Sequence, residues 1–191
     1  MKKIPLTVVK VGTSTVDPGR IASQDLISLK HALGIGGGSS VTLIEGGGER
    51  LLVDTGYDKE GDISPENTLA NWDKLNNLLG LCGVHPSSIS KIFLTHLHRD
   101  HSGLVERFPE ASWMCYGGEL EGYQGPLAGR MLAVDEGETV VPNTRVILTP
   151  GHTRGHASLL WANEWVKIAI AGDSILSLSW LNSGYIWKFN S

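Results

Sequence analysis

The chain has 191 residues, 41% of them hydrophobic, two cysteines and a formal net charge of −4. That length and apolar content can bury a sizeable core in one domain spanning residues 1–191, and the mildly acidic balance argues against a general affinity for nucleic acid or for an anionic membrane. Cys82 and Cys115 have neither the number nor the spacing of a disulfide framework or a CxxC site, no apolar run approaches the ~18 residues of a membrane span, and Lys10 interrupts the signal-like start; together these predict a cytoplasmic protein.

In chain order, Leu6 to Val11 reads as a strand rich in β-branched residues, followed by a polar, Gly-rich stretch from Gly12 to Ser40. Within that stretch, Ile21 to Leu33 suits a short helix or an ordered loop equally. Gly34 to Gly38 lacks the Lys-Ser/Thr of a phosphate-binding loop and reads as a loop. Val41 to Glu45 and Arg50 to Asp54 form a hairpin pattern closed by Gly46-Gly47-Gly48-Glu49, and Asp54-Thr55-Gly56 punctuates its end. Ser64-Pro65-Glu66 carries a capping hydroxyl, a proline for the first turn and an acid for the positive end of the dipole; Leu69, Trp72, Leu75, Leu78 and Leu79 then recur at helical spacing until Gly80. His31 and His85 read as solvated loop histidines.

Lys91 to Thr95 is a short apolar strand, and it runs into the densest chemistry of the chain, His96-Leu97-His98-Arg99-Asp100-His101. Three imidazoles and a carboxylate in six positions would be costly to bury without compensation, and a divalent cation supplies it. The segment His101 to Phe108 reads as the opening turns of a helix, which places the cluster at a strand's carboxyl end, where α/β sheets keep their sites. Ala111 to Tyr116 is another strand, and Gly117 to Met131 is a Gly-rich excursion carrying Tyr123 that could wall a site. Strands over Arg130 to Asp135, Thr139 to Val141 and Thr144 to Thr149 follow, the last delivering Pro150-Gly151-His152 as the earlier one delivered His96. His156 reads as a strand-start histidine or as a support by hydrogen bonding. Ala157 to Trp161 and Val166 to Ala171 form a final hairpin, with Gly172-Asp173 after it.

Together the HxHxDH cluster, Leu51-Leu52-Val53-Asp54-Thr55-Gly56, Thr149-Pro150-Gly151-His152-Thr153 and Ala171-Gly172-Asp173-Ser174 resemble, in identity and order, the metallo-β-lactamase superfamily, over most of residues 40 to 174. The resemblance implies an α/β fold, a four-layer αββα sandwich. It implies that His96, His98 and His152 hold one metal, that Asp100 and His101 hold a second, that Asp173 bridges them, and that Asp54 stands behind the ligands to fix an imidazole tautomer. Zinc, one or two ions per chain, suits imidazole and carboxylate without thiolate, with iron or manganese as alternatives. The implied activity is hydrolysis by a metal-bound hydroxide, with Asp100 passing a proton to the leaving group. Glyoxalase-II-like thioesterases and lactonases of the family imply an ester, thioester or lactone of a small molecule. A phosphodiesterase or ribonuclease of the same superfamily is the alternative, disfavoured by net charge, and a metal-binding protein with little turnover is another. That last reading arises because the family pattern continues with a further strand, a helix and a Gly-His turn that completes metal two, whereas no histidine follows His156 here. The expectation is a chain missing that C-terminal strand and helix, whose aromatic tail, Ile175 to Ser191, lines the pocket mouth or packs on a second subunit of a homodimer.

Overall fold

A computed structural model describes residues 4–12 and 39–175, together with Asn182 and Gly184. The expected helix or loop over 21–33, His31, the glycine run 34–38 and nearly all of the aromatic tail lie outside the described residues.

Among the described residues nine strands form two sheets. The first has six, in the order β1-β2-β3-β4-β5-β6: β1 (Leu6–Lys10), β2 (Val41–Gly46), β3 (Glu49–Val53), β4 (Lys91–Phe93), β5 (Ser112–Tyr116) and β6 (Leu132–Val134). Its β1 to β3 edge is antiparallel and its β3 to β6 half parallel. The β2-β3 hairpin turns through Gly47 and Gly48, whose φ of 62° and 82° are the left-handed values a tight hairpin turn requires. The second sheet is the antiparallel meander β7 (Thr144–Leu148), β8 (Ala157–Ala162) and β9 (Lys167–Ile170).

Strand periodicity sorts the core into two slabs. Leu43, Leu52, Ile92, Trp113 and Cys115 point one way and pack with Leu75 and Leu79 of helix α1 (Pro65–Leu81). Ile44, Leu51, Val53, Phe93 and Met114 point the other way and meet Val146, Ala157, Leu159 and Trp161 of the second sheet. The result is helix, sheet, sheet, with the larger sheet buried on both faces, which is why its strands read as nearly continuous apolar runs rather than alternating ones. Among the described residues no helix is long and apolar enough to cross a membrane.

Three expectations are corrected. The residues 101–108 do not form one helix: a single turn, α2 (Arg99–Ser102), is followed by a separate 3-10 turn over Val105–Arg107. Thr55 is the cause. Its amide and hydroxyl both donate to the carbonyl of His101 (2.7 and 2.8 Å), the acceptor that the amide of residue 105 would need, and its hydroxyl accepts the Leu104 amide at 3.2 Å. Thr139 to Val141 is not a strand. The Thr144 hydroxyl accepts the Val140 and Val141 amides at 3.2 and 2.9 Å and donates to the Val141 carbonyl at 2.6 Å, so a local turn takes the groups a ladder would pair. On α1, capped by Ser64 and running one residue past Gly80, Leu69 is 52% exposed while Asn71 is buried. Asn71 packs inward because its amide satisfies the backbone of Asp58, accepting from the Asp58 amide at 2.6 Å and donating to its carbonyl at 3.2 Å.

Candidate metal centre

The histidine cluster occupies the turn after β4, on the side of the sheet's carboxyl ends. Beside it, Asp54 follows the last residue of β3, and its φ of 59° is unusual for a residue with a side chain. Its carboxylate accepts the Thr95 amide at 2.8 Å and the Thr95 hydroxyl at 3.0 Å, and faces His101 Nδ1 at 2.8 Å. A carboxylate is acceptor only, so His101 carries its proton on Nδ1 and turns Nε2 towards the centre of the cluster.

Two ligand groups result. The side-chain donor atoms of His96, His98 and His152 lie within 4.8 Å of one another, and so do those of His96, Asp100 and His101. His98 Nδ1 and His152 Nε2 are 2.9 Å apart. Asp173 lies between the groups: one oxygen is 3.1 Å from His101 Nε2 and the other 3.4 Å from His152 Nε2. Asp100 reaches His101 Nε2 at 3.4 Å. All seven residues singled out from the sequence, His96, His98, Asp100, His101, His152, Asp173 and Asp54, thus converge in one place.

The residues fit a divalent cation on an observation independent of any resemblance. His96 is fully buried, and its Nε2 has no hydrogen-bond partner among the described residues. A buried ring nitrogen without a partner is costly unless something else occupies it, and two neighbouring imidazoles share its space. Burial first, then the charges of four neighbouring histidines, holds the His96 imidazole well below its ordinary pKa, so it presents a bare lone pair. His152 is lowered by burial as well, against the pull of Asp173. His101 goes the other way. Burial disfavours its charge, but the Asp54 carboxylate and hydrogen bonds to Asp100, Asp173 and Asp54 outweigh that and raise it well above the ordinary value.

The profile of the metallo-beta-lactamase superfamily matches residues 34–185. The chain belongs to that superfamily. Among curated relatives, an atrochrysone carboxyl ACP thioesterase of Aspergillus fumigatus is 31% identical over 146 residues, covering 73% of this chain and 40% of the relative. An N-acyl homoserine lactonase of a Bacillus species is 31% identical over 137 residues, covering 60% of this chain and 54% of the relative. The matched part of this chain therefore spans about half the length of these relatives or less. Among solved structures, a Thermotoga maritima protein assigned to the metallo-beta-lactamases superposes with a TM-score of 0.65 at 22% identity, over 94% of this chain and 84% of that one, which shows a shared fold. The α/β architecture expected from the sequence is that of the metallo-beta-lactamase sandwich.

Other residues of this metallo-beta-lactamase domain matter to the site but carried weak or no sequence signals. Thr95 precedes the cluster and holds Asp54, with its hydroxyl also 3.2 Å from His96 Nδ1. His156, fully buried, immediately precedes β8 and reaches the site: its Nε2 accepts the Asp173 amide at 3.2 Å, so its proton sits on Nδ1 and is donated to the Thr149 hydroxyl at 2.8 Å. Gly172 makes that approach feasible, since a Cβ there would lie 2.5 Å from Thr95 Oγ1 and 2.8 Å from His156 Nε2. Glu119 lies in the one-turn helix α3 (Gly117–Leu120) inside the Gly-rich excursion, and its carboxylate reaches both ligand loops. Its signal was only an acid just past the carboxyl end of a strand. Tyr123 packs partly against the outer core instead. His85 caps a distant turn and is exposed, as expected. Cys115 is buried, which pushes its thiol up to about 12, and neither cysteine joins the ligand groups.

Proposed function

We propose that the chain is a metal-dependent hydrolase that opens an ester, thioester or lactone carbonyl of a small molecule in a reducing, cytoplasmic setting. The observation that carries the metal is the buried Nε2 of His96, without a hydrogen-bond partner among the described residues and within reach of His98 and His152. The carbonyl centre is supported by the thioesterase and the lactonase among the relatives.

His96, His98 and His152 would hold the first ion, His101 and Asp100 the second, with Asp173 offering one oxygen to each. Zinc is the ion that imidazole and carboxylate without thiolate suit best. Bound there, it would act as a Lewis acid and bring the pKa of a water to about 7. The chain's own residues do the rest. Asp54 keeps the His101 proton on Nδ1, which leaves Nε2 available as a ligand. His156 turns the Asp173 backbone so that its carboxylate faces both groups. Asp100, partly exposed at the edge of the cluster, can orient the nucleophile and carry its proton to the leaving oxygen or sulfur.

A substrate panel tests this. Acyl thioesters and lactones should show turnover that a chelator abolishes and zinc restores, and single-stranded RNA and bis-aryl phosphodiesters should show much less. A clear phosphodiester preference would overturn the carbonyl assignment, and turnover indifferent to chelator would overturn the metal.

A further inference from the structure

The three histidines of the first group come from two different sheets. His96 and His98 ride on the turn after β4 of the six-stranded sheet; His152 rides on the turn between β7 and β8 of the smaller one. For all three to ligate, His98 Nδ1 and His152 Nε2 must both be bare lone pairs, yet they face each other 2.9 Å apart. In the metal-free chain one of the two nitrogens can carry a proton and donate it to the other, but ligation by both removes that hydrogen bond. For a tie that serves both states, a group that is not itself a ligand must hold these turns together.

Glu119 is placed to do so. One carboxylate oxygen accepts the amide of Leu97, the residue between His96 and His98, at 3.0 Å. The other accepts the hydroxyl of Thr153, the residue after His152, at 2.6 Å. The turn carrying His152 is shaped for this approach: a Cβ on Gly155 would fall 2.1 Å from the Glu119 amide nitrogen and 2.3 Å from its Cα. A larger residue at 155 would push α3 away and pull the carboxylate off one partner or both.

We propose that Glu119 is a positioning residue that ties the two ligand-bearing turns and presets the spacing of the His96, His98 and His152 set. The inference rests on the reading of those histidines as the first metal site. A carboxylate suits the role because it accepts from both partners at once, and the Thr153 hydroxyl, which could turn and accept instead, makes glutamine the closest replacement.

Zinc competition against a chromophoric chelator, and the visible spectrum of the cobalt-loaded protein, test it on the whole chain. Glu119→Ala should weaken the tighter zinc site roughly 10- to 100-fold, the range for losing a partner that orients ligands, and should shift the cobalt bands. Thr153→Val, which breaks one of the two bonds, should fall between Glu119→Ala and the parent, and Glu119→Gln should recover most of the affinity. Circular dichroism of the metal-free variants checks folding; if Glu119→Ala does not fold, Thr153→Val carries the test. Parental zinc affinity and cobalt spectrum in a folded Glu119→Ala would overturn the role, as would a Glu119→Gln no better than Glu119→Ala, or an unfolded Glu119→Ala beside a parental Thr153→Val. His98→Ala separates the two claims. If it leaves tight zinc binding intact, the metal-site reading has failed; if it abolishes tight binding while Glu119→Ala does not, only the positioning role has.

Discussion

His96 and His101 are both buried, belong to one turn, and have ring centroids 4.1 Å apart, yet their proton affinities move in opposite directions. For His96 burial is the largest influence and the charges of four neighbouring imidazoles add to it, so the ring stays neutral. Around His101 there are three carboxylates, Asp54 at 2.8 Å, Asp173 at 3.1 Å and Asp100 at 3.4 Å. One opposite charge at such distances is worth about 4 kcal/mol in a protein-like dielectric, comparable with the several kcal/mol it costs to bury an ion, and the further carboxylates tip the balance. One half of the centre is therefore held neutral, while in the other the raised proton affinity of His101 opposes a cation in the metal-free chain. The half of the centre a residue belongs to, more than its depth, sets what it can do.

Removing the group assigned to proton transfer should break that comparison most. Asp100→Ala is expected to keep the fold and the His96 group while lowering turnover roughly 10²- to 10⁴-fold, the range for a positioned acid or base. Steady-state rates on whichever thioester or lactone the parent hydrolyses, beside a melting curve, check it. Equal rates would remove Asp100 from the chemistry.

Metal affinity should divide along the same line. In the metal-free protein His101 holds an Nε2 proton that an ion must displace, whereas His96 offers a bare nitrogen. The chain is therefore expected to keep close to one zinc per molecule through dialysis and to lose a second, with loading of the weaker site releasing protons and strengthening as pH rises. Elemental analysis and titration calorimetry in buffers of different ionisation enthalpy read both. Asp54→Ala sharpens the point, because it frees the His101 tautomer and leaves the Thr95 amide without its acceptor; the weaker site should lose a further ~10- to 100-fold in affinity while the tighter one changes little.

Much of this was legible in the sequence, and most of what was not has a common cause. Most of the strands, the hairpin glycines and the ligand turns follow from local pattern: Arg50 to Asp54 reads as the second strand of a hairpin, and a dense histidine run at a strand's end must be compensated. Apart from Thr139 to Val141, where a local turn through the Thr144 hydroxyl takes the place of the expected strand, what escaped depends on long-range hydrogen bonds. Nothing near residue 101 signals that Thr55 takes its carbonyl and ends the helix there, and nothing near Glu119 signals that its carboxylate will find Leu97 and Thr153. His156 could be read two ways because its partner, the Asp173 amide, is 17 residues further along the chain.

Acid should expose the neutral half of the comparison. Burial, then the charges of His152 and His101, lowers His156 to about 4 from an ordinary 6.5. A folded-state value below the unfolded one means that the unfolded chain takes the proton first, so the stabilisation is full above about 6.5 and is lost as pH falls towards 4. The size is on the order of 3 kcal/mol. His96 acts in the same sense; His101, raised, adds stability below 6.5 that fades as pH climbs through its folded value. Urea midpoints of the metal-free protein between pH 4 and 7 should fall on acidification, and His156→Asn should flatten the fall. A parental slope in that variant would place the acid sensitivity elsewhere.

The smallest expected effect tests what holds the charged half together. Thr95 is fully buried, and its hydroxyl donates to the Asp54 carboxylate, with 3.0 Å to one oxygen and 3.2 Å to the other, while the Thr95 amide donates separately at 2.8 Å. Thr95→Val keeps the volume, the β-branch and the amide bond and deletes only the hydroxyl. A hydrogen bond to a charged acceptor is worth roughly 1.5–3 kcal/mol, and the retained amide bond and the His101 contact should hold the loss to the lower end. Asp54 would keep its grip on His101, so zinc affinity at the tighter site should stay within a few-fold of the parent, and the change should appear in the denaturation midpoint. If Thr95→Val instead removes the tighter zinc, the Thr95 hydroxyl acts through His96 Nδ1, 3.2 Å away, and the two halves of the centre are joined through Thr95 rather than merely adjacent.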